Sequence, residues 1–590
     1  MIDKKIEILL DLAEGIAPDG FTLEPDGTLR MDESVDVGDP RWYELDRLRL
    51  EIEGWPDAEI DRKHRRIREE IAQMDRPTRP PRYADDPDLV RIVNAAWHDI
   101  ADANTPPQLF IYGGKPVRIV DVNGFDTIDI LDRFKLQLES ARASFWITRG
   151  RSEEKPARPP MSIISSMLGQ ANIPLPPFTG IVTTPVFSSA GKLIIKPGYD
   201  AGARLYYSPG TLKIKPIPQN PTAADVAAAK AILEEMLRDF PFVSSADRAH
   251  AWAAFFLIPC RELIDGPTPI TLFESPEAGT GKGLLCESIL HAFTNGNFER
   301  FSPTTDDQET RKRITSVLLA TKPAMLLDNV NDLSGPALAS ATTTRFWSDR
   351  YLGKNEIITM PVRLQFVATG NNVTLSGELA RRIVRCRMEA ATDRPWLRDG
   401  FKIENLPQWV RDHRANIIEA VLTLAQSWIT AGMPPPKVKP LGSYDAWTRV
   451  VGGILEHIGI EGFLGNIIEV YEKSDITGNA TRALVAEWWE RHSTLEVQAR
   501  DLFDIARTID GLPLYGRTED SQARSFARFL QKQRQRIFTI ETDGEAVKLQ
   551  VADAGKIKRI QVWKLAVIGD EKAAGTLNFS PEGADMEELL

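Results

Sequence analysis

The stretch FESPEAGTGKGLLCESIL, residues 273–290, collects residue types that hold phosphate. Glycine has no Cβ, so backbone N–H groups approach an oxyanion closely. A lysine adds positive charge, and a helix starting there adds the positive end of its dipole. Glu277, Ala278, Gly279, Thr280, Gly281, Lys282 and Gly283 are the candidate cradle. Two letters depart from the G-x-x-x-x-G-K-[ST] spacing of a phosphate loop. Pro276 stands at the first glycine position, and Gly283 where a hydroxyl normally reaches Mg²⁺. Proline fits a turn. The missing hydroxyl is the larger loss, left to a water or to the nearby Ser288 hydroxyl to make good. PITLF before the loop is strand-like and GLLCESILHAF after it has helical spacing, the context such a loop requires. Taken alone, a tight glycine turn without a ligand is the competing reading.

Three motifs downstream carry matching chemistry. KPAMLLDNV (322–330) is an apolar run ending in Asp328-Asn329, the Walker B form in which a buried strand delivers a carboxylate to a metal. Asn329 stands where a second acid often activates water; an amide orients water but cannot take up its proton. VRLQFVATGNNV (362–373) ends in Asn371-Asn372, which match a polar sensor of the γ-phosphate. ELARRIVRCRME (378–389) follows, with Arg381, Arg382 and Arg385 as candidate fingers toward a neighbouring subunit's phosphate. Lys282 to Asp328 is 46 residues, Asp328 to Asn372 is 44, and Arg382 lies ten further on. Each strand-ending motif is thus one β–α unit from the last, as in a parallel sheet with ligands at its carboxyl edge. The expected core is an α/β P-loop ATPase using ATP and Mg²⁺.

The whole chain must position these residues. Its 590 residues suffice for three or four domains of about 150 residues. Cys260, Cys286 and Cys386 are far apart, which fits neither a disulfide framework nor a zinc site and suits a reducing cytoplasm. The seven histidines are scattered, which argues against a metal cluster. The N-terminal MIDKKIEILLDLAEG lacks the uninterrupted apolar stretch of a signal peptide, and no apolar run approaches about 20 residues, so neither a signal peptide nor a membrane helix is expected. A net charge of −11 excludes a protein basic all over, but not a local footprint for nucleic acid.

Residues 1–80 read as a charged helical arm, either a solvated helix pair or a partner-binding one, and RPTRPPRYADDP as a linker. Residues 85–220 read as a small α+β module with a hairpin turning at Gly113-Gly114. Its Asp126, Asp129 and Asp132 read as surface carboxylates rather than a primase or nuclease site. Two helices, over 222–242 and in AHAWAAFFLIPCREL, open the ATPase region 222–435. The proline-rich AGMPPPKVKPLGS marks its end. A helical connector over 440–480, a winged-helix-like domain over 481–570 and an acidic tail over 571–590 complete the expected order.

The glycine loop, LLDN, WSDRYLGKNEIITMPV, VATGNN and ELARRI together resemble the AAA+ ATPase core of superfamily 3 helicases. They are especially similar to the poxvirus-type primase-helicase relatives of phages and mobile elements. The likeness covers about residues 225–435. It implies a hexameric ring, Mg²⁺-ATP at subunit interfaces and movement along a nucleic-acid strand. Residue by residue, Gly279, Gly281 and Lys282 match the phosphate loop, Asp328 the metal-directing acid, and Asn371 or Asn372 the sensor. Arg382 is the preferred finger, with Arg381 next. Some superfamily 3 members also carry Asp-Asn at the Walker B end; Gly283 is a departure that leaves magnesium ligation open. DRYLGKNEIITMPV reads as two short strands around LGKNE. In these helicases a hairpin here enters the ring pore, which would make Lys354 a phosphate contact supported by Arg350 or Tyr351. Without the resemblance it is a surface hairpin.

A second nucleic-acid feature lies in SQARSFARFLQKQRQRIF (521–538). It carries Arg524, Arg528, Lys532, Arg534 and Arg536 and no acid, with Phe526, Phe529 and Leu530 free to face a core. A shorter helix precedes it, and two strands are expected after it. That order suits a winged helix whose basic helix contacts double-stranded DNA; the alternative is a solvated helix packed against the ring. The function these features predict is an ATP-driven DNA helicase or replication initiator of a phage or mobile element. It would be a homo-hexamer in the bacterial cytoplasm, with single-stranded DNA in its pore and other replication proteins as candidate partners. Two alternatives remain: a nucleotide-gated DNA-binding, loading or defence ring that hydrolyses little, and a remodeller of protein substrates.

Overall fold

The computed structural model describes residues 79–568 except 152, 352–355, 543–544 and 558–559, together with residues 21–23, 29–31, 47, 50, 56 and 59–63. The acidic tail and most of the N-terminal arm therefore lie outside the described residues. Among the described residues no helix is long and apolar enough to cross a membrane. The chain divides into two compact units. One holds residues up to Ile111, 115–118 and Asp129–Pro176; the other holds Tyr112–Gly114, 119–128 and the chain from Pro177 on.

In the first unit, helices Leu89–Ala103, Arg133–Ala143 and Met161–Leu168 enclose a core that includes Trp97, Ile100, Leu136, Trp146 and Met167. Ile92, Val93, Ala96, Trp97 and Ile100 recur at helical spacing, so one face of the first helix is buried. Strands Leu109–Tyr112 and Lys115–Val122, whose residues are divided between the two units, meet at Gly113-Gly114, whose φ of 56° and 79° give the left-handed pair that a two-residue hairpin turn needs.

The second unit is α/β. Helix α1 (Ala223–Leu237) begins at a capping box between Thr222 and Asp225. Helix α2 (Ser245–Phe256) buries Ala249, Trp252, Phe255 and Phe256 and, with them, Asp247 and His250. The strands that follow are β1 (Ile270–Ser275), β2 (Glu299–Phe301), β3 (Ala324–Leu333), the antiparallel pair β4 (Phe346–Arg350) and β5 (Ile357–Pro361), β6 (Gln365–Leu375) and β7 (Ile383–Arg387). Five of them form one parallel sheet in the order β2-β3-β6-β1-β7. Burial on both faces explains why these strands are near-continuous apolar runs, with Ile270, Leu272 and Phe273 in β1, AMLL in β3 and FVA in β6. From β1 the chain crosses to the edge strand β2. From β6 it passes over β1 to β7. Connections leaving neighbouring strands in opposite directions open a crevice at their carboxyl ends.

The core around this sheet reaches beyond the expected ATPase limits. Phe187, Leu193, Leu212 and Ile217 pack into it from one side, so the division between units falls at Pro176 rather than near residue 220. Leu441, Tyr444, Trp447, Val451 and Leu455 belong to the same core, so the stretch read as a connector is built into the main fold. His250 on α2 ties these parts together. Its Nδ1 lies 2.6 Å from the Arg385 carbonyl oxygen, and its Nε2 accepts from the Leu464 N–H at 3.1 Å.

The C-terminal residues have their own core, with Trp488, Leu502, Phe526, Leu530, Leu549 and Trp563 at its centre. Helices α3 (Ala499–Ala506) and α4 (Glu519–Lys532) pack on an antiparallel sheet. Its order is β8 (Val497–Gln498), β11 (Ile560–Val567), β10 (Glu545–Ile557), β9 (Ile537–Thr542). Three full strands stand where two were expected. Asp543-Gly544, between β9 and β10, is a turn signal that a single-strand reading of this stretch passes over.

Candidate nucleotide site

The loop 276–281 joins β1 to helix α5 (Lys282–Thr294) at the carboxyl edge of the sheet. Gly279 and Gly281 have φ of 85° and 96°. A Cβ on Gly279 would stand 2.8 Å from the Trp396 backbone nitrogen, and one on Gly281 3.0 Å from the Phe240 ring. Both positions thus need glycine for dihedral and for space. Gly283 differs: it is helical, and a Cβ there would meet nothing within 4 Å. Glu277, Ala278 and Gly279 are exposed, while Thr280 is buried, its hydroxyl without a hydrogen-bond partner among the described residues.

Parallel register brings the distant motifs to this loop. Ser275 lies opposite Asn371. The Lys282 ammonium donates to Asn371 Oδ1 at 2.6 Å, and Ser275 Oγ lies 3.3 Å from the same oxygen. Thr369 Oγ1 donates to Asp328 Oδ1 at 2.6 Å and accepts from the Asn329 N–H at 3.0 Å, fixing the acid where the register of β3 shifts. Half-burial holds the Lys282 pKa below the ordinary lysine value, and the Asp328 charge works against that shift. Asn329 and Asn372 have φ of 58° and 40°. Asparagine tolerates the left-handed region, so their first role is to bend β3 and β6 where the register shifts.

The arginines divide between the two ends of the sheet. Ile270 donates to the Arg382 carbonyl at 2.8 Å, which puts Arg381 and Arg382 at the amino edge. The register from Ile270↔Ile383 to Glu274↔Arg387 spans four residue steps, about 13 Å of strand. Arg382 pairs with Glu378 at 3.0 Å, and Arg381 is exposed. Arg385 is buried and pairs with Glu469 at 3.0 Å. None of the three joins the cluster at the loop in its own chain. Arg387, which motif reading missed, does: it donates to Glu274 at 3.2 Å and to Asn372 Oδ1 at 3.4 Å. Its place as the last residue of a parallel strand was the available signal.

Among the described residues no three His, Cys, Asp or Glu side chains are placed to hold a metal together. A divalent cation here must therefore share its shell with phosphate oxygens and water, which is the habit of Mg²⁺. Asp328 suits that role, because Arg300 already brings positive charge to its Oδ2 at 3.5 Å. Ser288 does not replace the missing hydroxyl. It is buried six residues past Lys282, roughly 9 Å along the helix.

The candidate DNA-contacting residues are organised differently. The β4–β5 hairpin is anchored by Trp347, whose Nε1 donates to Thr315 Oγ1 at 2.9 Å. Arg350 is exposed at the end of β4, and Lys354 lies outside the described residues. On α4, Arg524, Arg528 and Lys532 are exposed four residues apart, opposite buried Phe526, Phe529 and Leu530. Helix α4 starts earlier than the basic run, with Glu519 and Asp520 in its first turn and Glu519 paired to Arg507 at 3.0 Å. Arg534 and Arg536 follow the helix; Arg534 pairs with Asp553 at 3.6 Å, and Arg536 lies over the Phe538 ring. In the first unit, Asp129 pairs with Arg118 at 2.9 Å and with Lys135, while Asp132 caps a helix.

No protein-family model matches the chain, and no curated protein matches it. Among solved structures it is similar to the apo C-terminal region of NrS-1, with TM-score 0.39 and 12% identity, over 78% of this chain and 96% of that one. It is also similar to SCCmec type IV Cch, described as an active helicase, with TM-score 0.31 and 11% identity, over 77% of this chain and 91% of that one. At such values neither likeness assigns a fold family or an activity.

Proposed function

We propose that the chain is an ATP-driven motor of AAA+ superfamily 3 type, a DNA helicase or replication initiator of a phage or mobile element. The observation that carries this reading is the meeting of Lys282, Asn371 and Thr369-held Asp328 beside a glycine loop at the carboxyl edge of a parallel sheet. An arriving phosphate competes with Asn371 for the Lys282 ammonium. Binding then frees the amide to orient a water toward the γ-phosphate. Mg²⁺ bound with ATP would be held by Asp328 and would offset charge developing on the phosphate oxygens. In a ring, Arg381 and Arg382, remote from their own loop, would act on a neighbour's phosphate. In that homo-hexamer the β4–β5 hairpin, with Arg350 and Lys354, would contact single-stranded DNA in the pore. The C-terminal domain, read as a winged helix, would bind double-stranded DNA through Arg524, Arg528 and Lys532, with Arg534 and Arg536 beside them. The cytoplasm of a bacterial host and contacts with replication proteins go with this reading.

ATP hydrolysis with and without single-stranded DNA, for the intact protein and for Lys282→Ala, tests the proposal. DNA-stimulated turnover that the alanine variant lacks supports a motor. A second reading is favoured by Gly283 and Asn329: a ring that binds ATP as a structural switch and hydrolyses little. Tight ATP binding with turnover no faster than that of Lys282→Ala selects it.

A further inference from the structure

Position 283 lacks the hydroxyl that normally helps hold Mg²⁺, yet the helix it opens carries an acid one turn on. Gly283 and Glu287 are i and i+4 on α5, so they share a face. Helical side chains lean toward the N-terminus. Glu287 thus follows Gly283 by one turn on the same face, and at Gly283 a Cβ would meet nothing within 4 Å. A single guanidinium joins Glu287 to the metal-directing acid. Arg300 on β2 lies 2.5 Å from Glu287 Oε2 and 3.5 Å from Asp328 Oδ2. Both carboxylates are 33% exposed, and Arg300 is 46% exposed. Ion pairs this open to water are weak and exchangeable.

We propose that Glu287 takes the place of the missing hydroxyl as the second protein group holding the divalent cation. Arg300 is then the cation of the metal-free site, bridging Glu287 and Asp328 until the metal displaces it. Two carboxylates with phosphate oxygens and waters make an ordinary Mg²⁺ shell. The empty volume at Gly283 is what lets a longer side chain from the next turn serve. This inference rests on the nucleotide reading above.

The test is Mn²⁺ binding by electron paramagnetic resonance, with the full chain and a slowly hydrolysed ATP analogue. Glu287→Gln is expected to weaken Mn²⁺ binding in that complex by about tenfold or more. Its binding of a fluorescent ATP in EDTA is expected to stay unchanged. Arg300→Ala is expected to strengthen Mn²⁺ binding by about threefold, because a competing cation is gone. A folding defect cannot produce effects of opposite sign in the two variants. Gly283→Ser added to Glu287→Gln is expected to recover part of the loss. Unchanged Mn²⁺ affinity in Glu287→Gln, or weaker affinity in Arg300→Ala, overturns the inference while leaving nucleotide binding standing. If the intact protein retains no more fluorescent ATP than Lys282→Ala does, the nucleotide reading fails and this inference goes with it.

Discussion

The candidate nucleotide site and the basic helix α4 hold their charges in opposite ways. At the site, Lys282, Asn371, Thr369 and Asp328 are hydrogen-bonded across strands, and the lysine is half-buried. On α4, Arg524, Arg528 and Lys532 stand in water on one face, four residues apart. The first arrangement is a joint geometry in which each group depends on the others, so removing one breaks it. The second is a local charge density, in which each cation adds its share and salt screens them all. A site that does chemistry needs the first kind; a surface that follows a phosphate backbone can use the second.

The contrast breaks most visibly at Lys282. Replacing it with alanine is expected to lower ATP turnover by about 10²–10³-fold, the scale of losing one preorganised electrostatic group. Turnover within a few-fold of the intact protein would end the claim that these bonds form a catalytic unit. Gly281→Ala should weaken nucleotide binding nearly as much, because it meets both a left-handed φ and the Phe240 ring. Gly283→Ser, two residues away, should bind at least as well as the intact protein. A fluorescent-ATP titration of the two variants checks this pair, and equal losses would contradict it.

His250 carries the contrast into the scaffold. It is fully buried and neutral, with its pKa pushed down to about 4 by burial. A group depressed in this way contributes stability above the unfolded value near 6.5, and that stability is lost as pH falls toward the folded value. The expected loss between those limits is about 3 kcal/mol. Denaturation at stepped pH for the intact protein and for His250→Gln measures it, and parallel curves would refute it. On α4 each of Arg524→Ala, Arg528→Ala and Lys532→Ala should lower the salt dependence of duplex binding by about one unit of slope. DNA-free ATP turnover should not change. A single substitution that abolished binding would show that α4 is also a cooperative site. The smallest effect is on stability: Gly283→Ser is expected to add about 0.5 kcal/mol, from helix propensity alone, readable as a shift in the urea midpoint.

Much of the site was legible in the letters. A strand, a glycine loop and a helix are written locally in ITLFESPEAGTGKGLLCES, and the structure has them at Ile270–Ser275, 276–281 and Lys282–Thr294. The hairpin at Gly113-Gly114, the buried runs of β3 and β6, and the apolar face of α4 were equally open to reading, because periodicity and turn chemistry are properties of neighbours in sequence. The domain limits were not. Phe187 and Trp447 pack in one core with the sheet between them in sequence, and no composition shift marks that.

What the sequence determined by itself is the chemistry available: which residues can cradle phosphate, which acid follows a buried apolar run, which helix face is basic. Tertiary structure decided which of them meet. Lys282 and Asn371 are 89 residues apart, and Thr369 and Asp328 are 41 apart. Only the parallel register of β1, β3 and β6 puts them at one edge. The same register sends Arg382 to the far end of the sheet and brings Arg387, five residues later, to the near one. It also sets Arg300 on the neighbouring strand between Glu287 and Asp328. Spacing along a chain limits which pairs can touch. Strand order and direction select among them, and those follow from how the whole apolar surface is buried, which no single motif contains.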